Sequence, residues 1–347
     1  MFTPRRSRAD NADNCMINEA QSQRLRFFCT RLPKTRKTRY NAVMKYAVEN
    51  NTLHITGLSD FDLEKSAECG QAFRWKRVAH DPAAGESCAY ICVLRGRPVR
   101  AAQTDGGLTV SPCGEDEARL YIDYFDLTRD YGMIEELIAG DPRLAVCLPG
   151  ATGIRVFNQD PFEALISFII SANNNIKRIS GIIDRLCALA GSKLDFEGSV
   201  LYAFPTPQAI AALSEEQLKA IGAGYRAPYI IASAKRIAEG YDLEKLRGMS
   251  LEEARRELLT FKGVGPKVCD CILLFSLGHT DAFPIDVWID RAMNELFFDS
   301  VPPKKAQMRE AVRSIGEYSG IIQQYIFFHA RAVQLGKTAK RAEHPED

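Results

Sequence analysis

Apolar positions divide the chain into a front part with strand-like spacing and a back part with helical spacing. Apolar and polar residues alternate over residues 52–56, and an apolar run occupies residues 89–94. Asp105-Gly106-Gly107 is typical of a tight turn, and a short alternating run follows it. Alternation with a period of two is typical of half-buried strands, so this part predicts a small antiparallel sheet. The stretch at 115–139 predicts helix.

From Asp160 onward the spacing of apolar residues becomes helical. Asp160 and Pro161 supply an N-cap and an N1 proline, and Ser214 and Ser250 begin capping boxes. The predicted fold class is therefore α+β, with an N-terminal antiparallel β-sheet domain that also holds helices, followed by an all-α core. The predicted organisation is a basic tail at 1–43, an α+β domain at 44–155, an all-α domain at 156–335 and a polar tail at 336–347.

Positive charge is concentrated at the start of the chain. Residues 1–40 hold ten Lys or Arg and three Asp or Glu, which makes this segment +7. The formal net charge of the whole chain is +1, so the remainder carries −6. Because the rest of the chain is slightly acidic, it would have to bind DNA through a local basic patch and through backbone amides. For the segment itself we predict a disordered arm, with DNA binding or targeting as the alternative.

The ten cysteines are scattered along the chain. None forms a C-x-x-C pair and the last is Cys271, which argues against a zinc site and against an iron–sulfur cluster. Their spacing indicates a reducing compartment. No run of about 18 uncharged apolar residues occurs, and no apolar stretch follows the basic start, so neither a membrane span nor a secretory signal is expected. We expect a bacterial cytoplasmic protein near the nucleoid, or a nuclear one if the source is eukaryotic.

A glycine-containing turn lies between two short helical patterns near residue 264. The sequence Lys262-Gly-Val-Gly-Pro266 predicts a tight helical hairpin, with Pro266 at N1 of its second helix. Backbone amides at Gly263, Val264 and Gly265 would then bind DNA phosphate without reading sequence.

Lys267 falls in the first turn of that second helix. A cation there faces the positive end of the helix dipole, and partial burial would add to this effect. Both effects favour the neutral amine, which is the nucleophilic form. A solvated lysine or a simple phosphate contact is the structural alternative.

Asp286 lies nineteen residues after Lys267 and precedes another helical pattern. By itself it predicts an N-cap. Close to Lys267, its carboxylate could also stabilise positive charge at a sugar carbon while a glycosidic bond breaks.

Residues 261–268 and 284–287 together resemble the hairpin and aspartate motifs of the helix-hairpin-helix DNA glycosylase superfamily. Most of residues 50–335 resembles its 8-oxoguanine DNA glycosylase/lyase branch. The further motifs are Cys69-Gly-Gln-Ala-Phe-Arg-Trp75, Ser171-Ala-Asn-Asn-Asn-Ile-Lys-Arg-Ile179, Gly224-Tyr-Arg-Ala227, Gln323 and Phe327.

This resemblance implies a bifunctional glycosylase and lyase that excises 8-oxoguanine, opposite cytosine, from duplex DNA. Lys267 would attack C1′ of the deoxyribose, and the resulting Schiff base would allow β-elimination. No cofactor and no iron–sulfur cluster is implied, while a structural monovalent cation at the hairpin is compatible with it. Damaged duplex DNA is the implied partner, and we expect a monomer.

The resemblance also implies two groups of recognition residues. The carbonyl of Gly70 would accept a hydrogen bond from N7–H of the lesion, Gln323 would read its Watson–Crick edge, and Phe327 and Cys271 would enclose its plane. Residues that fill the hole in the helix or contact the opposite cytosine would be Asn173, Asn174, Arg178, Tyr225 and Arg226.

Each of these residues also has a structural alternative. One asparagine suffices for an N-cap, Arg178 could be an exposed helix charge, Tyr225 could pack amphipathically, and Phe327 could belong to the core. The chain departs from eukaryotic relatives at Trp288, where they carry His, and at Ile321, where they carry a larger aromatic residue.

Two other functions remain open from the sequence. One is a glycosylase for other damaged purines or for alkylated bases, although such enzymes commonly lack the hairpin lysine. The other is a helix-hairpin-helix module that binds DNA without catalysis, for which the spacing of Lys267 and Asp286 has no explanation.

Overall fold

The computed structural model describes residues 28–29, 44–58 and 60–335. The predicted C-terminal tail and most of the predicted N-terminal tail lie outside the described residues. The exception is Phe28–Cys29, whose backbone forms a short strand, β1, paired with Lys45 and Tyr46. The prediction of an unstructured arm is wrong for these two residues, because their backbone groups add to the edge of a sheet.

The front of the molecule is a seven-stranded antiparallel sheet in the order β1-β2-β3-β7-β6-β5-β4. Leu53 lies opposite Val110 and Ile55 lies opposite Leu108, and all four side chains are buried on one face. This confirms the predicted antiparallel sheet. The remaining strands are β2 (Lys45–Glu49), β3 (Thr52–Thr56), β4 (Lys76–Val78), β5 (Glu86–Leu94), β6 (Arg97–Thr104) and β7 (Gly107–Ser111).

Three helices accompany this sheet, α1 (Leu63–Glu68), α2 (Ala118–Tyr124) and α3 (Tyr131–Gly140). The last two divide the stretch that the sequence predicted as helical. Trp75 packs among Tyr124, Phe125 and Phe157 and donates a hydrogen bond to the Tyr124 hydroxyl at 3.0 Å. This aromatic cluster anchors the motif that contains Gly70 to the core of the sheet.

The back of the molecule is helical, as predicted. Asp160 caps α4 by accepting from the amides of Phe162 and Glu163, and Ser214 and Ser250 form capping boxes on α7 and α9. The helices are α4 (Pro161–Ser171), α5 (Ile176–Ala190), α6 (Pro207–Ala211), α7 (Glu215–Ala220), α8 (Ala227–Ala238), α9 (Leu251–Leu258), α10 (Pro266–Ser276), α11 (Val287–Phe297), α12 (Lys305–Ile315) and α13 (Ser319–Ala332).

The predicted helical core also contains two short strands. A hairpin of β8 (Lys193–Phe196) and β9 (Ser199–Tyr202) follows α5. Leu201 of this hairpin clusters with Ile91 and Val93, so it covers apolar residues of β5. No helix of the described ranges is long and apolar enough to span a bilayer.

Polar contacts between the two parts fix the backbone beside Gly70. Arg74 forms an ion pair with Glu163 at 3.0 Å and donates to the Tyr202 carbonyl at 2.6 Å. Gln71 is fully buried and donates to the Arg155 carbonyl at 2.6 Å, while its own carbonyl accepts from the Gln159 amide at 2.8 Å. The sheet domain and the helical domain therefore hold the Gly70 segment from both sides.

Candidate active site

A cavity of about 620 Å³ opens between the Gly70 segment, the α4–α5 loop, α10 and α13. It brings together the predicted reaction pair, Lys267 and Asp286, with the four predicted base-pocket residues. Its walls are Gly70, Phe73, Phe168, Ser171, Asn174, Asn175, Ile176, Lys177, Ile179, Lys267, Cys271, Phe275, Pro284, Asp286, Trp288, Gln323, Gln324, Phe327 and Arg331.

Lys267 is the second residue of α10 and reaches across to the end of α4. Its Nζ lies 3.3 Å from the Ser171 hydroxyl and 5.6 Å from the centre of the Phe168 ring. The Ser171 hydroxyl donates its proton to the Phe168 carbonyl at 2.8 Å, so it can only accept from Lys267. An amine that donates to Ser171 keeps its lone pair for another atom in the cavity.

The hairpin before Lys267 has the predicted form. Gly263 has a φ of +83°, and a Cβ there would lie 2.7 Å from the Tyr229 side chain, so only glycine fits. The amides of Gly263 and Gly265 donate to no residue that the structure describes, which leaves them for phosphate. The Val264 prediction needs correction, because its amide donates to the Phe261 carbonyl at 3.1 Å and its side chain is buried.

Asp286 is the N-cap of α11, which confirms its structural alternative. One carboxylate oxygen accepts from the amides of Trp288 and Ile289, both at 2.9 Å. Hydrogen bonds from two amides at a helix N-terminus stabilise a carboxylate. Because Asp286 also lines the cavity with Lys267, the cap fixes this carboxyl group in the same cavity as the amine.

Gly70 has a φ of +94° and presents its backbone to the cavity. A Cβ at this position would lie 2.7 Å from Cδ1 of Ile176, so a side chain would close the pocket at this wall. The carbonyl of Gly70 accepts no hydrogen bond from any described residue, as the predicted contact with N7–H requires.

The other base-pocket residues are held by protein contacts. The Gln323 amide donates to the Pro284 carbonyl at 3.0 Å, and its oxygen accepts from Gln324 at 2.6 Å. Phe327 is half-buried in the cavity wall. Burial raises the pKa of the Cys271 thiol to about 11, so this wall is an uncharged thiol at neutral pH.

The three consecutive asparagines have separate positions. Asn175 caps α5 by accepting from the Arg178 amide at 3.0 Å, and Asn174 donates to the Ile170 carbonyl at 3.2 Å. Asn173 is exposed in the left-handed region with a φ of +49°. One cap and one helix-end contact thus account for two of the three, and the third faces outward as an inserted residue would.

Arg226, which the resemblance predicts to contact the opposite cytosine, is hydrogen-bonded within the protein. The side chain is only 5% exposed and donates to the carbonyls of Ala172, Asn173 and Ala223. It also lies 4.4 Å from the centre of the Tyr225 ring. In this state Arg226 supports the Asn173 loop, while Tyr225, 56% exposed, and Arg178 face solvent.

Sequence reasoning missed two cavity residues. Ser171 opens a recognised motif but carried no assigned role, and its contact with Lys267 depends on how α4 meets α10. Arg331 follows Gln323 and Phe327 at four-residue intervals on α13, a spacing that would have placed all three on one helix face. Among the described residues, no group of His, Cys, Asp and Glu side chains is arranged to hold a metal ion.

Comparisons with known proteins identify the family of this chain. Residues 55–165 match the family described as 8-oxoguanine DNA glycosylase, N-terminal domain, and residues 166–317 match the HhH-GPD superfamily base excision DNA repair protein. A protein named "Probable N-glycosylase/DNA lyase" from Methanothermobacter thermautotrophicus is 33% identical over 79% of this chain and 95% of its own length. The N-glycosylase/DNA lyase OGG1 of Arabidopsis thaliana is 35% identical over 74% of both chains.

Solved structures give the same result. The 8-oxoguanine glycosylase/lyase of Clostridium acetobutylicum, bound to duplex DNA with cytosine opposite 8-oxoguanine, superposes with a TM-score of 0.78. It is 34% identical, and the match covers 84% of this chain and 99% of that one.

Proposed function

Because this chain belongs to the HhH-GPD superfamily of base excision DNA repair proteins, in its 8-oxoguanine DNA glycosylase branch, we propose residue roles for a reaction centred on Lys267. The chain is a DNA N-glycosylase with lyase activity, which acts on 8-oxoguanine in duplex DNA. The observation that carries our assignment is the Lys267 amine held by Ser171 in the same cavity as the capped carboxylate of Asp286.

Lys267 is the nucleophile in this proposal. Its nitrogen lone pair forms a bond to C1′ while the bond from C1′ to the base nitrogen N9 breaks, and that electron pair leaves with the base. The nitrogen of Lys267 then gives one proton to the departed base. The C1′–O4′ bond breaks, O4′ takes up a proton from water, and a protonated imine joins C1′ to Lys267. The imine acidifies C2′, so loss of a C2′ proton expels the 3′ phosphate by breaking the C3′–O bond.

Asp286 acts on the charge that develops at the sugar. As the C1′–N9 bond breaks, positive charge grows on C1′ and the ring oxygen, and a fixed carboxylate nearby lowers the energy of that state. The helix cap keeps this carboxylate oriented before substrate binds, so no reorganisation is needed during the reaction.

The base pocket selects the oxidised purine. The Gly70 carbonyl accepts from N7–H of 8-oxoguanine, whereas guanine would present a lone pair to it. Gln323 reads the Watson–Crick edge, and Phe327 and Cys271 enclose the plane of the base. The geometry that supports this set is a single cavity whose walls they share with Lys267.

DNA is held by amides and by the α4–α5 loop. The amides of Gly263 and Gly265 take a phosphate, Asn173 fills the hole left by the extruded base, Tyr225 wedges into the stack, and Asn174 holds the loop. Arg178 and Arg226 contact the opposite cytosine, which for Arg226 requires release of loop carbonyls.

Three further proposals concern the state of the protein. The reaction needs no cofactor. A monovalent cation at the hairpin is supported by the carbonyls of Lys262, Gly263 and Val264, which accept no hydrogen bond from described residues. We also propose a monomer, located in a bacterial cytoplasm or, for a eukaryotic source, in the nucleus.

Borohydride trapping on a duplex with 8-oxoguanine opposite cytosine tests the proposed chemistry. The wild-type protein should form a covalent adduct, and Lys267→Gln should reduce its formation by roughly 10³-fold or more. Lys262→Gln is the matched control, because it removes an exposed amine from the same hairpin and should trap normally. Equal trapping by Lys267→Gln and the wild type would exclude this role of Lys267.

A further inference from the structure

We propose that Arg331 is a specificity-determining residue that donates a hydrogen bond to the O8 carbonyl of the extruded 8-oxoguanine. The inference rests on the proposed function and deepens it, because it adds a second contact to the edge of the base that carries the lesion. Arg331 lies in the last turn of α13 and lines the same cavity as Lys267 and Gly70.

The position of the guanidinium beside Gly70 is the main observation. Nη1 of Arg331 lies 3.5 Å from the carbonyl oxygen of Cys69, at the outer limit of a hydrogen bond. The same atom lies 3.8 Å from the point where a Cβ on Gly70 would stand, and the Ile176 side chain lies closer to that point. A donor therefore lies near the backbone of Gly70, the residue whose carbonyl is proposed to accept from N7–H.

A second contact limits where the guanidinium can move. The Arg331 guanidinium carbon lies 5.5 Å from the centre of the Phe327 ring, four residues earlier on the same helix face. This cation–π contact holds the charge at the cavity wall although the side chain is largely exposed. The guanidinium is thus anchored to the ring proposed to stack on the base.

The lesion supplies the complementary chemistry. Oxidation of guanine at C8 replaces a C–H by a carbonyl and places a hydrogen on N7, so the edge changes to a donor beside an acceptor. The Gly70 carbonyl would accept a hydrogen bond from N7–H, and a guanidinium N–H of Arg331 would donate one to O8. Undamaged guanine would offer a C–H to the guanidinium and a lone pair to the carbonyl, so both contacts would be lost together.

Arg331 is suited to this contact because other polar side chains in the cavity have different partners. Lys267 donates to Ser171, and Gln323 is held by Pro284 and Gln324. The long contact to Cys69 is the weakest of these, so the guanidinium can turn toward a carbonyl on the base at little cost.

Replacement of O8 by sulfur tests the contact at one atom. Binding would be measured in the Lys267→Gln background, to prevent excision, with duplexes that carry 8-oxoguanine or 8-thioguanine opposite cytosine. Both bases keep N7–H, but the thiocarbonyl is a weaker acceptor. With Arg331 present, the sulfur substitution should weaken binding by about tenfold more than it does after Arg331→Met, as expected for loss of a charge-assisted hydrogen bond.

For each protein, the ratio of its affinities for the 8-oxoguanine and 8-thioguanine duplexes is determined. Comparing this ratio between the Arg331-containing protein and Arg331→Met separates recognition of O8 from a structural role. Loss of the contacts with Cys69 and Phe327 would affect both duplexes equally and would cancel. Arg291→Met is the matched control, since Arg291 lies over Trp288 and is not among the cavity walls. Arg291→Met should leave the oxygen-to-sulfur ratio of affinities unchanged when Arg331 is present. Arg331→Gln is a second variant, because its side chain retains a weaker hydrogen-bond donor.

Two results have distinct meanings. If Arg331→Met leaves the oxygen-to-sulfur ratio as it was, the proposed contact with O8 is excluded, even where excision of 8-oxoguanine by the wild type is normal. If the wild-type protein itself fails to excise 8-oxoguanine opposite cytosine, the proposed function fails instead.

Discussion

The site has a lesion side, which holds Lys267, Asp286 and the base pocket, and a partner-base side, which holds the residues proposed to contact the opposite cytosine. The two sides differ in how their side chains are held within the protein. On the lesion side, Lys267, Asp286 and Gln323 each have hydrogen-bond partners within the described protein. On the partner-base side, Asn173 and Tyr225 are exposed.

The partner-base side also holds Arg226, whose side chain is buried. The Arg226 guanidinium donates to the carbonyls of Ala172 and Asn173, and we propose that it releases them to contact the opposite cytosine. We therefore propose that the reacting groups are oriented by the protein itself, whereas the groups that read the opposite base take their final positions on DNA.

Apart from Lys267→Gln, the largest effect is expected at Asp286, on the lesion side. Asp286→Asn should slow excision by roughly 10²-fold, because it removes the negative charge near C1′. Its effect on stability should be small, since Asn is as good an N-cap as Asp. Single-turnover excision and thermal unfolding, measured on the same sample, would separate these two roles.

An alternative outcome would change the comparison. If Asp286→Asn excises at the wild-type rate, Asp286 is only a helix cap and the lesion side is less complete than described. Asp290→Asn is a control on the same helix, exposed and outside the cavity walls.

A smaller effect is expected on the partner-base side, where two arginines can be compared. Arg178→Met and Arg226→Met should each reduce the preference for cytosine over other opposite bases by about tenfold. Only Arg226→Met should also destabilise the fold, by roughly 1–3 kcal/mol, because it leaves the carbonyls of the Asn173 loop without their donor.

Excision from duplexes with each of the four opposite bases, together with denaturant unfolding, tests this pair. Loss of stability with unchanged base preference in Arg226→Met would restrict this residue to support of the loop. The partner-base side would then depend on Arg178 alone.

The smallest effect is expected at Ser171, which orients the amine without touching substrate. Ser171→Ala should lower kcat by about fivefold, with KM nearly unchanged, because one hydrogen bond to Lys267 is lost. Ser171→Thr keeps the hydroxyl and should restore part of the rate. A rise in KM at constant kcat would indicate instead that Ser171 contributes to DNA binding.

Interactions between residues close in sequence predicted the helices and the hairpin that position the site residues. Contacts between residues far apart in sequence could not be predicted in this way. The caps at Asp160, Ser214 and Ser250 and the hairpin before Lys267 depend on residues three or four apart, so they could be read from the sequence. The contact of Ser171 with Lys267 joins residues 96 positions apart.

Two further features show the same limit. The β8–β9 hairpin is marked only by its turn, and its position against β5 depends on tertiary packing. The burial of Arg226 reverses the usual exposure of arginine, and two of the carbonyls that accept from it belong to residues 54 and 53 positions away. The family motif identified Arg226 from the sequence, whereas the carbonyls that accept hydrogen bonds from it could be identified only from the structure.

The most direct test of the central claim is to map the covalent adduct. The complex reduced by borohydride would be digested with protease and nuclease, and the modified peptide identified by mass spectrometry. We predict that the sugar remnant is attached to Nζ of Lys267, the amine held by Ser171 in the cavity. A remnant on Lys262, on Lys177 or on the N-terminal amine would contradict it.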